Sequence, residues 1–211
     1  SALGRDHPVA VVNIGGVANV TYVAPDCAES DLISFDCGPG CGLLDAWMEM
    51  RTDAAFDEGG ATALSGRARE DVARLMLLHP FIRRAPPKSA DRYDFKLSPV
   101  DGLSVEDGAA TLALVTARAI ASSARFFPSP VGEWIICGGG RRNAAILAAI
   151  RSAAEAPVVT AEDVGWRGDV LEAECFAYLA VRALLGAPIT FPGTTGAPRP
   201  LPGGVVRKAP K

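Results

Sequence analysis

The sequence predicts an α/β fold in which a mixed sheet is flanked by helices. Three short, β-branched runs precede the first predicted helix, and strands alternate with helices in the last third of the chain. Hydrophobic residues make up 49% and charged residues 21% of the 211 residues, which is enough apolar material for the core of one globular domain. No internal repeat is visible.

The first part of the chain predicts a β-hairpin followed by a third strand and a helix. The predicted strands are residues 9–13, 18–23 and 32–35, and the predicted helix is residues 43–50. Gly15 and Gly16 form the tip of the hairpin. Such a tip can hold an anion with its backbone amides, but Gly pairs are also ordinary turn residues, and both interpretations stay open here.

Asp36 stands where the third predicted strand stops, and a glycine-proline turn follows it. Gly38, Gly40 and Gly42 lack side chains that would keep a ligand away from the backbone. A carboxylate at the carboxyl end of a strand, beside exposed amides, is typical of functional sites in α/β sheets. The alternative is a structural turn in which Asp36 only accepts bonds from local amides.

The middle of the chain is predicted to be helical between irregular segments. Residues 51–66 are predicted as a loop, and residues 84–104 as an irregular segment rich in proline and basic residues. An irregular segment of that length is more often functional than not. The predicted helices are residues 68–78, with Val72, Leu75 and Met76 on one face and Pro80 as its stop, and residues 108–127.

A second glycine-rich turn follows the fourth predicted strand, residues 133–137. Gly138, Gly139 and Gly140 lead from this strand toward a predicted helix at residues 144–150. Free amides and the helix dipole at such a turn suit the phosphate or adenine of a nucleotide. The run is neither a GxxxxGK loop nor a complete GxGxxG, so the standard P-loop and Rossmann signatures are absent.

The last part of the chain predicts a fifth strand at residues 156–160 and an amphipathic helix at residues 169–185. The side chains expected to be buried on this helix are Val170, Ala173, Phe176, Ala177, Ala180 and Leu184. Asp169 and Glu172 have capping-box spacing, which gives Glu172 a structural role. Alternatively, Glu172 points toward the apolar face and needs a partner. The Pro- and Gly-rich tail, residues 186–211, predicts extended packing or partial disorder.

Several functional classes are disfavoured by composition. The net charge is −3 without a long basic run, which argues against a nucleic-acid face. No apolar run reaches the roughly 18 residues of a membrane span, and the first residues lack a signal-peptide core. With only His7 and His79, a Ser-His-Asp or Cys-His nucleophile has little support. The five cysteines form no CxxC pair, so we expect reduced thiols, no metal site and a cytoplasmic protein.

Four ordered segments together resemble one protein family. They are residues 12–21, residues 35–40 with 44–47, residues 137–143, and residues 171–180 with the ending 191–197. Residues 86–89, followed by Arg92 and Phe95, add a further similar segment. The pattern resembles anhydro-N-acetylmuramic acid kinase, a sugar kinase of bacterial cell-wall recycling, over nearly the whole chain.

The resemblance implies an actin/hexokinase/Hsp70-like (ribonuclease H-like) fold with ATP in the cleft between two lobes and Mg²⁺ bridging the phosphates. The implied reaction opens the 1,6-anhydro ring of anhydro-N-acetylmuramic acid with water and moves the γ-phosphate to O6. Asp36 would be the general base that activates the water. The other implied site residues are Gly15, Gly16, Gly138, Gly139, Gly140 and Asn143 for the nucleotide, and Glu172, Asp45 and Gly38 for the sugar.

Two departures from the family pattern bear on function. Cys37 and Cys41 stand where the family usually has Thr and Asn, and a thiol is a poor hydrogen-bond partner. The family is also nearly twice as long, and its Gly-Thr-Ser-x-Asp-Gly phosphate loop has no counterpart here. The resemblance therefore implies that residues 1–211 are a C-terminal lobe. The N-terminal lobe would come from a separate chain or have been lost from this sequence, and a homodimer is implied as well.

Other classes of function stay open at this point. One is a non-catalytic lobe, either a degraded remnant or a module that binds a sugar or nucleotide. Another is an ATPase of the same fold that acts as a regulator. A lone lobe would expose the apolar surface that it normally buries, so self-association through that surface is a further prediction, testable by light scattering.

Overall fold

A computed structural model of the protein describes residues 4–207. Its strands are β1 (Val9–Ile14), β2 (Val17–Val23), β3 (Ile33–Pro39), β4 (Glu133–Cys137) and β5 (Val158–Thr160). They form one five-stranded sheet in the order β3-β2-β1-β4-β5. β2 pairs antiparallel with β1 and β3, whereas β4 pairs parallel with β1 and β5. The prediction of a mixed sheet is confirmed.

Four of the strands end at the same edge of the sheet. β1, β3, β4 and β5 share one direction, because β3 is antiparallel to β2 and β2 is antiparallel to β1. We call the edge formed by the strand ends Ile14, Pro39, Cys137 and Thr160 the carboxyl edge. Both glycine-rich turns of the sequence therefore lie at the carboxyl edge.

The two faces of the sheet differ in polarity. Along β2, burial alternates, and Ala18, Val20 and Tyr22 are directed into the core. The opposite face carries a polar row in which Thr21 bonds Ser34 (Oγ1 to Oγ, 2.9 Å) and Ser34 donates to Asn19 Oδ1 (3.2 Å). This alternation is expected where only one face of a sheet is packed on a core. We call the side with this polar row the open face.

The helices are α1 (Gly42–Arg51), α2 (Ala61–Ser65), α3 (Glu70–Leu77), α4 (Pro80–Arg83), α5 (Val105–Ser122), α6 (Ala144–Ala153), α7 (Leu171–Leu184) and α8 (Pro192–Thr195). α5 lies at the centre of the core and contacts β2, β3 and helices α1, α2, α3 and α6. Among residues 4–207, no helix is long and apolar enough to cross a membrane.

The contact between α1 and α5 depends on a glycine. Trp47 is fully buried, and its indole N–H donates to the Val105 carbonyl at 2.9 Å. Its ring lies so close to Gly108 that a Cβ at that position would overlap it. Gly108 thus permits an aromatic side chain to fill the space beside the central helix.

Residues 51–66, which we predicted as a loop, contain α2. The buried Asp57 carboxylate accepts hydrogen bonds from the Thr62 and Ala63 amides at 2.8 and 3.1 Å, and α2 packs against α5. Five residues are too few to show helical periodicity, which explains the wrong prediction. In α3 the predicted face is partly wrong, because Leu75 is 60% exposed while Ala73 is buried.

Two predicted boundaries also differ from the structure. α5 begins at Val105 rather than at residue 108, because the Ser104 hydroxyl oxygen accepts a hydrogen bond from the Asp107 amide and caps the helix. A 3₁₀ turn over Ser123–Phe126 follows α5. β3 continues to Pro39, so Asp36 lies within the strand and not at its end.

α7 is the largest correction to the predicted packing. Its predicted apolar face is not buried: Phe176 is 65% and Leu184 is 67% exposed. The predicted capping box is also absent, since Val170 is the N-cap and Asp169 instead accepts bonds from Arg141 and Arg142. The helical spacing of the apolar residues was enough to predict this helix. That spacing could not show whether another element or chain covers its apolar face.

The described part of the tail, residues 186–207, is mostly extended. An isolated antiparallel bridge joins Thr190 and Leu201. Buried Phe191 is the N-cap of the short helix α8, which packs against β3. This matches the predicted extended packing, with one helical turn added. The last four residues lie outside the described part of the chain.

Candidate active site

Asp36 is held on the open face by three donors. Asn19 Nδ2 donates to Asp36 Oδ1 at 3.0 Å. The Ser89 hydroxyl donates to Oδ2 at 3.1 Å, and the Ala90 amide donates to the same oxygen at 2.8 Å. The carboxylate is therefore oriented by β2 on one side and by the irregular segment after α4 on the other. Neither contact is a local turn bond, so the structural-turn alternative for Asp36 does not apply.

Asp36 is directed away from the core by the regular alternation of β3, and a β-bulge follows it directly. The register pairs Asn19 with Asp36 and Ala18 with Gly38, so Cys37 has no partner on β2. Cys37 is 1% exposed, while Asp36 lies on the opposite side of the strand. Bulges are over-represented next to active sites.

The Asp36 carboxylate faces a cleft of about 450 Å³. Residues lining the cleft include Asn19, Ser34, Ser89, Thr194 and Thr195. The two threonines belong to α8, which explains how the Phe-Pro-Gly-Thr-Thr ending contributes to the same site as Asp36. The cleft thus combines a carboxylate with hydroxyl and amide groups, which suits a polar ligand such as a sugar.

The glycine turns of the sequence meet at the carboxyl edge. The Cys41 amide donates to the Gly15 carbonyl at 2.7 Å, and the Gly40 amide donates to the Gly16 carbonyl at 3.0 Å. A Cβ on Gly138 would overlap Asn13 and Ile14, so this turn packs on the end of β1.

The individual glycines differ in what surrounds them. A Cβ at Gly16 or at Gly139 would meet nothing within 4 Å, so the backbone there is accessible. A Cβ at Gly140 would overlap Ile14, and Gly138 has a positive φ of 77°. The hairpin tip and the second turn therefore offer an accessible backbone at Gly16 and Gly139, while Gly138 and Gly140 allow close packing behind it.

Gly38 and Asn143 have clear packing roles. A Cβ on Gly38 would lie 2.9 Å from the Ala119 Cβ of α5, so the residue faces the helical layer. Asn143 is 6% exposed, its Oδ1 accepts from the Ile146 amide at 3.0 Å, and its Nδ2 donates to the backbone carbonyl of Asp57. The ligand roles expected for Gly38 and Asn143 stay predictions. The packing of Gly38 against α5 and the hydrogen bonds of the Asn143 side chain do not support those roles.

Asp45 lies on α1, close to the carboxyl edge. Burial, together with the neighbouring Glu49, raises the pKa of the Asp45 carboxyl to about 6, whereas Arg92 opposes the change. A half-buried acid of this kind titrates close to neutrality, which makes it a candidate functional group.

Glu172 does not join this cluster through any described contact. It lies in the first turn of α7 and is exposed. The nearest link to the carboxyl edge is Asp169, which accepts hydrogen bonds from Arg141 at 2.7 Å and from Arg142 at 2.6 Å. Contact between Glu172 and a sugar stays a prediction.

Sequence reasoning missed two buried cations. Arg141 is 7% exposed and donates to Glu162, to Asp169 and to the Gly138 carbonyl, at 2.9 Å in the last case. It therefore fixes the second glycine turn, although an Arg pair in a sequence usually indicates surface. Lys88 is also 7% exposed and lines the Asp36 cleft. Its position among aromatic residues of other elements could not be foreseen without the fold.

The cysteines that depart from the family pattern stay protonated. Burial raises the pKa of the Cys37 thiol to about 12, and burial raises that of Cys41 to about 12 as well. Because Cys37 is directed into the core, the thiol does not stand beside the Asp36 carboxylate in the cleft. Within residues 4–207, no group of three or more His, Cys, Asp or Glu side chains could hold a metal ion.

A mixed sheet in this strand order, with glycine turns at the carboxyl edge beside a carboxylate in a cleft, has the architecture of the actin/Hsp70-like fold. The fold matches a solved structure, the activator of 2-hydroxyisocaproyl-CoA dehydratase from Clostridium difficile with bound ADPNP, at a TM-score of 0.51. That match covers 86% of this chain and 66% of the activator chain at 16% identity, so it shows the fold alone.

The sequence also identifies the family to which the chain belongs. The family model for anhydro-N-acetylmuramic acid kinase matches residues 3–209. The chain belongs to the anhydro-N-acetylmuramic acid kinase family.

Its relatives are bacterial proteins named anhydro-N-acetylmuramic acid kinase. The protein from Caulobacter vibrioides is 49% identical over 203 residues, and the one from Rhodospirillum rubrum is 48% identical over 203 residues. Each match covers 96% of this chain and 54% of the relative. The chain thus spans about half the length of the curated relatives it matches.

Proposed function

We propose that this chain is the lobe of an ATP-dependent sugar kinase that carries its general base. The substrate is anhydro-N-acetylmuramic acid, the product is N-acetylmuramic acid 6-phosphate, and the reaction belongs to peptidoglycan recycling in the cytoplasm. The observation that carries the proposal is Asp36 in the cleft, fixed by three donors on the open face. An ionised carboxylate has about four acceptor positions, so one remains for a water molecule.

The proposed chemistry begins with that water. Asp36 accepts a proton from the water molecule while the water oxygen attacks the anomeric carbon of the sugar. The bond from this carbon to O6 breaks, and O6 accepts the γ-phosphoryl group of ATP, so that ADP leaves. The proton ends on Asp36 and later returns to solvent. The residues 88–90 and Asn19 keep the base aligned during this step.

The nucleotide is proposed to lie along the carboxyl edge. The accessible backbone at Gly16 and Gly139 supports this placement, with Gly15, Gly138 and Gly140 as neighbours in the same turns. Mg²⁺ would neutralise the phosphate charge. It is usually held by phosphates, water and one or two carboxylates, so here it would be held mainly by the phosphates of the nucleotide. Within residues 4–207, no group of three or more His, Cys, Asp or Glu side chains could hold it without them.

Sugar recognition and assembly complete the proposal. Asp45, Glu172 and Gly38 are proposed on the sugar side, with Asp45 the best supported because it titrates near neutrality close to the carboxyl edge. A second lobe with the phosphate loop is proposed to close the cleft, and a homodimer is proposed as the working assembly.

A second candidate function is a non-catalytic binding lobe. The exposure of Phe176 and Leu184 favours it, because an uncovered apolar helix face is what a lobe without its partner would present. Such a lobe would bind the sugar or nucleotide without turnover.

Formation of N-acetylmuramic acid 6-phosphate distinguishes the kinase from the non-catalytic binding lobe. The chain is incubated with ATP, Mg²⁺ and anhydro-N-acetylmuramic acid, alone and as a chimera in which it replaces the matching stretch of the Caulobacter vibrioides relative. Mass spectrometry then measures N-acetylmuramic acid 6-phosphate. We expect product from the chimera and none, or a trace, from the chain alone. A correctly folded chimera that binds the sugar without forming product would support the non-catalytic lobe instead.

A further inference from the structure

We propose that Lys88 is a positioning residue for Asp36: its buried side chain anchors residues 88–90, whose backbone and hydroxyl groups hold the Asp36 carboxylate. This inference rests on the proposed function, since it explains how the base of that reaction is held. Lys88 itself touches no reacting atom in this account. It acts through the segment to which it belongs.

The side chain of Lys88 is anchored in an aromatic pocket. Its ammonium donates to the carbonyls of Phe81 and Ile82, at 3.0 and 3.1 Å, in the short helix α4. The Nζ atom also lies 4.9 Å from the ring centroid of Phe81, 5.0 Å from that of Phe126 and 5.5 Å from that of Phe35. Cation–π contacts and the carbonyl ends of a helix both favour a positive charge at this point.

The backbone of the same segment bonds Asp36. The Asp36 amide donates to the Lys88 carbonyl at 3.2 Å, and the Ala90 amide donates to Asp36 Oδ2 at 2.8 Å. Ser89 adds its hydroxyl to the same carboxylate oxygen. Residues 88–90 therefore form a short bridge with one end fixed in the core by Lys88 and the other fixing the carboxylate.

Burying the Lys88 ammonium destabilises the fold unless the positive charge makes favourable contacts there. Within residues 4–207, the ion pairs do not include Lys88. A buried ammonium without an anionic partner costs folding free energy. An apolar side chain of the same length would fill the aromatic pocket without that cost. The charge draws the segment inward toward the α4 carbonyls, and this pull is what an apolar side chain cannot supply.

The charge of Lys88 is also sensitive to pH near neutrality. Burial lowers the pKa of Lys88 to about 8; Cys37 and Asp36 oppose this change, whereas the charged groups Arg125 and Arg84 act in the same direction as burial. Above that pH the ammonium loses its charge and with it the cation–π contacts. The anchor should therefore weaken on the alkaline side.

The test uses Lys88→Met and Lys88→Arg, with Lys96→Met as the matched control, because Lys96 is an exposed lysine in the same irregular segment. The first readout is amide exchange at Ala90 by NMR, which requires no turnover. We expect the protection of this amide to fall at least about tenfold in Lys88→Met and to stay unchanged in Lys96→Met. Unchanged protection at Ala90 in a folded Lys88→Met would overturn the proposal.

The second readout is turnover in the chimera. We expect Lys88→Met to lower kcat about 100-fold with little change in KM, because a misplaced base slows chemistry more than binding. The decline of kcat above pH about 8 in the parent should be absent in Lys88→Arg, which keeps its charge. Lost protection with an unchanged kcat would also overturn the proposal. If the parent forms no product, the proposed function fails and the exchange experiment still decides the role of Lys88.

Discussion

At the scale of single residues, the site depends on how side chains are held rather than on which residues are present. Asp36 was recognisable from its sequence context, but two of its three donors, Ser89 and Ala90, are more than fifty residues away. No local pattern could reveal them. Arg141 and Lys88 were missed for the same reason, since their burial is a property of the packed chain.

Asp45 gives a residue-scale prediction about pH. Because its pKa in the folded protein, about 6, lies above the ordinary value of 3.8, the folded state binds more protons than the unfolded state between these pH values. Stability therefore falls as pH rises through this window, and the full cost of the buried charge is present above pH about 6. We expect Asp45→Asn to melt near the parent temperature at pH 4 and above it at pH 7.

The measurement is the Tm of both proteins between pH 4 and pH 8. Asp53→Asn, at an exposed aspartate shortly after the same helix, is the control and should show no such trend. A Tm difference between Asp45→Asn and the parent that does not grow from pH 4 to pH 7 would contradict the burial of Asp45.

At the scale of elements, most strands and long helices could be predicted, because their periods and glycine turns are strong signals. The predicted β4 has the bounds found in the structure, Glu133–Cys137. Features that depend on residues far along the chain could not be predicted. α2 is held by packing against α5, and β3 continues past Asp36 through a bulge in its pairing with β2. α7 has the periodicity of a buried helix but an exposed apolar face.

The contact of α1 with α5 gives an element-scale prediction. Gly108→Ala should stabilise an ordinary helix, since Ala has the higher helix propensity. Here we expect it to destabilise the protein by about 1–3 kcal/mol, because the new methyl group would overlap the Trp47 ring. The free energy of unfolding in urea measures the effect.

Gly102→Ala is the control, because a Cβ there would meet nothing within 4 Å. We expect its free energy of unfolding to differ from the parent by less than about 0.5 kcal/mol. A Gly108→Ala variant at least as stable as the parent would show that Trp47 does not pack as described.

At the scale of the whole molecule, the chain belongs to the anhydro-N-acetylmuramic acid kinase family and matches about half the length of relatives such as the one from Caulobacter vibrioides. The resemblance seen in the sequence motifs is confirmed by the family model over residues 3–209. The structure explains why those motifs are spread along the chain. Three of them meet at the carboxyl edge, and the Phe-Pro-Gly-Thr-Thr ending reaches the Asp36 cleft through α8. The predicted self-association stays untested.

The most direct test of the central claim is the kcat of Asp36→Asn in the chimera with the Caulobacter vibrioides relative, compared with that of Asp31→Asn, an exposed aspartate just before β3. If Asp36 is the general base, we expect Asp36→Asn to lower kcat by about 10²- to 10⁴-fold while sugar binding is retained, and Asp31→Asn to leave kcat unchanged. A kcat for Asp36→Asn within about threefold of the parent, where a general base predicts a loss of at least about 10²-fold, would contradict the account.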